Sequence, residues 1–158
     1  MVAFSEEKIE SWLDEQRISD WTVVREEGGE QFSFEVELHH IPVDLTVLVG
    51  PNSLNIIGGF TFDPELLANL LDRKELWHQF RTEAMIVLTN VRGFYAFLDE
   101  DFNPTSFEEM RRISLQYFIY PDGASQHLFM NSLYDMARAE AFLMWRPEQM
   151  VSALDDQT

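Results

Sequence analysis

The sequence contains no cysteine, which excludes disulfides, thiolate nucleophiles and Cys-ligated zinc or iron–sulfur centres. Basic residues are scarce: nine arginines and two lysines, Lys8 and Lys74, face 28 acidic residues, for a formal charge of −17. No apolar run approaches the roughly 20 residues that span a bilayer. The start, Met-Val-Ala-Phe-Ser-Glu-Glu-Lys, lacks the basic and apolar regions of a signal peptide. A cytoplasmic location and no membrane association are therefore the expectation, and the lack of disulfides agrees with it. Repeats, low-complexity tracts and Gly/Ser linkers are also missing. The expected organisation is a single α+β domain over residues 1–154, followed by a frayed acidic tail at 155–158.

What is present suits a packed domain. The 158 residues are 46% hydrophobic, and 13 Phe, 4 Trp and 4 Tyr favour a core or interface built on large rings. The acidic field repels nucleic acid and anionic membranes and speeds encounter with a basic partner. Adaptation of the surface to a salty cytoplasm explains the same charge, and net charge does not separate the two.

Hydrophobic spacing gives the element order. Ser5 caps a first helix, acidic at Glu6 and Glu7, with Ile9, Trp12, Leu13 and Gln16 on one side. A β-prone run at Trp21–Glu26 precedes a Gly28-Gly29 turn. Phe32, Phe34, Val36 and Leu38 then alternate with Ser33, Glu35 and Glu37, and Val43, Leu45, Val47 and Val49 repeat the pattern before a strand at Leu54–Phe60. Asp63-Pro64 starts a helical region reaching about Val91, with a break near Asp72 and Gly93 as its stop. Two strands follow, Phe94–Leu98 and Arg112–Tyr120, joined by an acidic loop containing Pro104. Ser125 then caps a last helix to about Trp145. The order α-β-β-β(-β)-α-β-β-α reads as an antiparallel sheet with flanking helices, an α+β fold.

Motifs with chemical potential have plainer readings. Asp99-Glu100-Asp101-Phe102-Asn103 opens like a calcium loop, but Pro104 stands where glycine is needed and Met110 where a bidentate Glu belongs. An acidic hairpin loop is the better reading. Glu75-x-x-His78 is half of a di-iron helix motif without a second copy, and both residues lie off the apolar helix face. His39 and His40 point to opposite faces of a strand, and His127 has no acidic orienter in the sequence. Nothing resembles a nucleophile elbow or a phosphate-binding glycine loop. Arg111-Arg112, beside Glu108 and Glu109, reads as neutralising local acid. No catalytic residue, metal or cofactor is expected.

The last two strands are apolar on both faces. If Phe94, Ala96 and Leu98 face inward with Ile113, Leu115, Tyr117 and Ile119, then Tyr95, Phe97, Phe118 and Tyr120 lie on the other face; the opposite register swaps the sets. The last helix carries a wide stripe from Phe129 to Met144, which Met130, Tyr134, Ala141 and Trp145 extend. Such excess marks an interface or a third covering layer within the subunit. Tyr95, Phe97, Phe118, Tyr120, Tyr134 and Trp145 are the candidate contact residues.

The chain also resembles a known family. Its element order is that of the type III secretion chaperone-like fold shared with YbjN-like proteins. More closely, it is similar to an uncharacterised, mainly archaeal family of small proteins with that architecture. Ile9-Glu10-Ser11-Trp12-Leu13, Asp63-Pro64-Glu65-Leu66-Leu67, Tyr120-Pro121-Asp122-Gly123 and Phe142-Leu143-Met144-Trp145 carry the resemblance. It implies a dimeric, non-catalytic protein that binds other polypeptides. The expectation is therefore a non-enzymatic protein-binding or chaperone-like module, a homodimer with a possible polypeptide partner. The competing expectation is a small enzyme or ligand-binding domain with a pocket between the sheet and the central helix.

Overall fold

Three side chains expected to start helices do so. The Lys8 N–H donates to Ser5 Oγ (3.2 Å), the Glu65 and Leu66 N–H groups donate to Asp63 Oδ1 (2.8 and 3.2 Å), and the Leu128 N–H donates to Ser125 Oγ (3.0 Å). Each satisfies donors that a helix start leaves without a partner. Pro64 occupies the first turn, where its missing N–H costs nothing.

The computed structural model describes residues 3–15, 17, 19–25, 27 and 31–157. Gln16, Glu26 and the Gly28-Gly29 turn lie outside these. The elements are α1 (Glu6–Glu15), β1 (Ser19–Arg25), β2 (Phe32–Leu38), β3 (Ile41–Val49), β4 (Leu54–Thr61), α2 (Pro64–Leu71), α3 (Lys74–Asn90), β5 (Phe94–Leu98), β6 (Arg112–Ile119) and α4 (Gln126–Asp155). The fold is α+β, with a six-stranded sheet in the order β1-β2-β3-β4-β6-β5 and flanking helices. The pairs β1–β2, β2–β3 and β3–β4 are antiparallel. Among the described residues no helix is long and apolar enough to cross a membrane.

Backbone contacts divide the chain into two interleaved units. The first comprises Met1–Gly58, Arg92–Phe94 and Leu115–Arg138. Its meander buries most of the expected alternating residues, Phe34, Val36, Leu38, Val43, Leu45, Val47 and Val49, while Phe32 is half-buried. Each such burial stabilises by roughly 1.5–3 kcal/mol. Ile9 and Leu13 of α1 are fully buried, and the Trp12 ring lies 5.5 Å from that of Phe129 on α4.

The second unit comprises Gly59–Val91, Tyr95–Ser114 and Ala139–Thr158. A chain of rings runs through it. Phe60 meets Phe62 (4.7 Å), Phe62 meets Phe80 (6.1 Å), and Phe80 and Trp77 both meet Phe107 (5.8 and 5.0 Å). Trp77, Phe80, Ala84 and Leu88 are the buried face of α3, as its spacing indicates.

Two helix boundaries differ from expectation. Gly93 does not stop α3, which ends at Asn90 with Val91 already extended; Gly93 adopts φ 93° and leads into β5. Phe94, for which both registers were open, is 70% exposed. Helix α4 continues past Trp145, through Pro147, to Asp155. A proline inside a helix costs about 3 kcal/mol, and buried Met150, one turn further on, is an anchor that offsets it.

Candidate functional site

The six candidate contact residues divide between the units. In the first, Phe118 and Tyr120 stack at 6.4 Å and 15°, with Tyr120 58% exposed. Tyr134 is half-buried, and the Arg138 guanidinium lies 5.3 Å above its ring. In the second, Tyr95 is 36% exposed and its ring is 5.6 Å from Phe97. Phe97 is half-buried and meets Phe107 edge-to-face at 5.3 Å. One side of Phe97 thus belongs to the ring chain of its unit. Trp145 is 37% exposed. Much of the wide α4 stripe is internal: Met130, Met136, Ala137, Ala141 and Leu143 are all buried.

Strand β5 ends the sheet order, and such an edge presents unpaired backbone groups. The chain itself covers part of it. The Thr105 N–H donates to the Phe97 carbonyl (2.8 Å) and the Asp99 N–H to the Asn103 carbonyl (2.9 Å), folding the 99–105 loop back along the strand's end. Tyr95 lies outside that covered stretch.

The histidines are all exposed. His39 Nε2 is 3.4 Å from Asp20 Oδ1, and His127 Nε2 meets the Asn131 amide at 2.9 Å. Among the described residues no three of His, Asp and Glu are placed to hold a metal ion. The Asp99 carboxylate accepts the Asp101 and Asn103 N–H groups (both 2.9 Å), as in a tight acidic turn.

The charge pairing of the second unit agrees with the sequence reading for Arg111, which neutralises a local acid, but not through the flanking acids. Glu108 pairs with Arg81 (2.8 Å) and Glu109 accepts from the Thr105 hydroxyl (3.3 Å), so neither flanking acid is taken by Arg111-Arg112. Arg111 lies 3.6 Å from Glu100. Among the described residues Arg112 has no ion-pair partner; it donates to Thr61 Oγ1 (3.3 Å).

Arg146 grips Glu83 with two hydrogen bonds, 2.6 and 3.0 Å. The bond from Arg146 holds the Glu83 carboxyl below its usual range, against the opposing effect of burial, and the pairing raises Arg146. A carboxyl whose pKa is lowered by folding contributes stability above its unfolded pKa and loses it as pH falls through the folded value. Arg146→Met is therefore expected to destabilise by about 1 kcal/mol at pH 7. The difference from the parent should shrink below about pH 4. Urea melts at both pH values check this.

The model of a family described as "Uncharacterized conserved protein (DUF2299)" matches residues 5–146. No curated protein matches the sequence. An uncharacterised protein from Methanothermobacter thermautotrophicus has a similar structure, with a TM-score of 0.67 and 16% identity over 94% of this chain and 99% of that one. YbjN, a candidate transcription regulator from E. coli, superposes with a TM-score of 0.51 and 11% identity, covering 95% of each chain. At these identities the likeness carries the fold, and the YbjN-like architecture implied by the resemblance is the one observed.

Proposed function

We propose that this chain, which belongs to the DUF2299 family of uncharacterised conserved proteins, is a non-enzymatic, chaperone-like module that binds polypeptide and forms a homodimer in the cytoplasm. The observation that carries the reading is aromatic exposure at two strands: Tyr120 directly after β6 and Tyr95 in β5 each combine an open ring with a neighbouring ring at 6.4 and 5.6 Å. Tyrosine pairs of this kind offer area at small entropic cost and suit interfaces. The charge of −17 disfavours direct contact with DNA and favours a basic polypeptide segment.

Sedimentation velocity tests the dimer. Tyr95→Ser and Tyr120→Ser, made separately, are expected to weaken self-association by tenfold or more in at least one case, the range of an interface contact costing about 1.4 kcal/mol. Melting temperature should stay within about 2 °C, as for surface changes. A monomeric parent, or variants that associate like the parent, would reject this surface. The ligand-binding alternative has one observation in its favour, a half-open hollow beside Arg112.

A further inference from the structure

The hollow lies within the second unit and has a volume of about 190 Å³. Phe62, Pro64 and the exposed Phe102 line it with apolar surface, and Thr61, Arg111 and Arg112 supply its polar edge. The volume is close to that of one large aliphatic or aromatic side chain. Two guanidinium groups beside an apolar hollow are a recurrent means of holding a carboxylate, because each fork donates parallel hydrogen bonds.

Two carboxylates also border the hollow, Asp99 and Glu100. Among the described residues neither is ion-paired or hydrogen-bonded to Arg112. The Asp99 Oδ1 atom is engaged by two backbone N–H groups of its own turn. Glu100 is largely exposed, at 3.6 Å from Arg111. Arg112 lies over the Phe102 ring at 5.9 Å from its centroid, with Thr61 as its hydrogen-bond partner. An arginine positioned by a ring and a hydroxyl retains donors for an incoming anion. Charges beyond about 8 Å are screened at physiological salt, so the two arginines and two carboxylates of the hollow, which balance formally, set its field in place of the net charge of the whole chain.

Phe102 adds an independent observation. It adopts φ 63°, a left-handed conformation unusual for a bulky residue, and its ring is 67% exposed. A strained backbone that holds an apolar ring in the open is costly on both counts. The residue's place in the lining of the hollow gives that cost a use: contact with an apolar occupant.

We propose that this hollow binds a carboxylate carried on a single apolar group, the chemistry of a polypeptide's last residue or of a free apolar acid. The proposal is independent of the tyrosine surface and stands or falls separately from dimerisation. Isothermal titration of the full chain with three probes tests it: the hexapeptide Gly-Ser-Gly-Ser-Ala-Leu as free acid, the same peptide as C-terminal amide, and N-acetyl-leucine. The free-acid peptide is expected to bind at least about tenfold more tightly than the amide, as loss of a charge-assisted pair implies. Binding of the peptide acid alone assigns the site to chain termini; equal binding of N-acetyl-leucine assigns it to free apolar acids. Arg112→Gln should abolish the acid–amide difference. Phe102→Gly should weaken acid binding about tenfold with melting temperature unchanged or raised, since glycine relieves the left-handed strain. Absence of binding by both acids, equal binding of acid and amide, or retention of the difference in Arg112→Gln would overturn the proposal.

Discussion

Replacing Phe107 by alanine is expected to destabilise the protein by about 3–5 kcal/mol, read as a shift in the denaturant midpoint at constant slope. Phe107 is 4% exposed, and three rings close on it: Trp77 at 5.0 Å, Phe97 at 5.3 Å and Phe80 at 5.8 Å. Removing it leaves a cavity lined by rigid rings, which collapse poorly, so the upper half of that range applies. Against a total of about 5–15 kcal/mol for a domain, the loss is large. The same variant calibrates Phe97. Phe97→Ser alone should cost less, about 1–2 kcal/mol, because only one side of the ring is covered. A double-mutant cycle should return a coupling of about 0.5–1.5 kcal/mol for the ring pair. Coupling near zero would show that the Phe97 ring contributes to a surface and not to this cluster.

That cluster also marks where the sequence stops being legible. The caps at Ser5, Asp63 and Ser125, the alternation of β2 and β3 and the apolar face of α3 depend on neighbours within a few residues, so spacing alone reveals them. The break between α2 and α3 was legible too, at Asp72-Arg73. Phe107 was not, because it stands in the stretch Pro104-Thr105-Ser106-Phe107-Glu108-Glu109, which has no periodicity to mark an inward side chain. Two Phe residues within an acidic connection, Phe102 and Phe107, were the available signal, and only Phe107 is buried. Arg112 is a similar case. Its sequence neighbours are acidic, yet Glu108 and Glu109 turn to Arg81 and Thr105, and only the folded chain brings Thr61 and Phe102 to it. Among the interface candidates, period-two alternation correctly put Tyr95 and Phe97 together, while the cover that the 107–109 turn gives to Phe97 depends on a residue ten positions away.

Glycine 59 should tolerate no side chain. It adopts φ 137°, and a Cβ built there would lie 2.4 Å from the carbonyl oxygen of Ile113 and 3.1 Å from the Ser114 Cα. Both contacts are backbone, so no rotamer change relieves them, and Ile113 is fully buried. Gly59→Ala is expected to destabilise by about 3 kcal/mol or more, or to prevent folding, through steric overlap added to an unfavourable φ. Gly93→Ala should behave alike, with φ 93° and a Cβ 2.1 Å from the Gln116 carbonyl oxygen. Gly123 is the control: a Cβ there meets nothing within 4 Å, and its φ is not left-handed. Gly123→Ala should be neutral or stabilise by about 0.4–1 kcal/mol by restricting the unfolded chain. Circular-dichroism melts of the three variants separate the cases. Equal small effects at all three positions would mean that neither close approach exists. A large loss at Gly59 with none at Gly123 would assign the Gly58-Gly59 dipeptide, which lacks the spacing of a phosphate-binding loop, to close chain packing at Ile113.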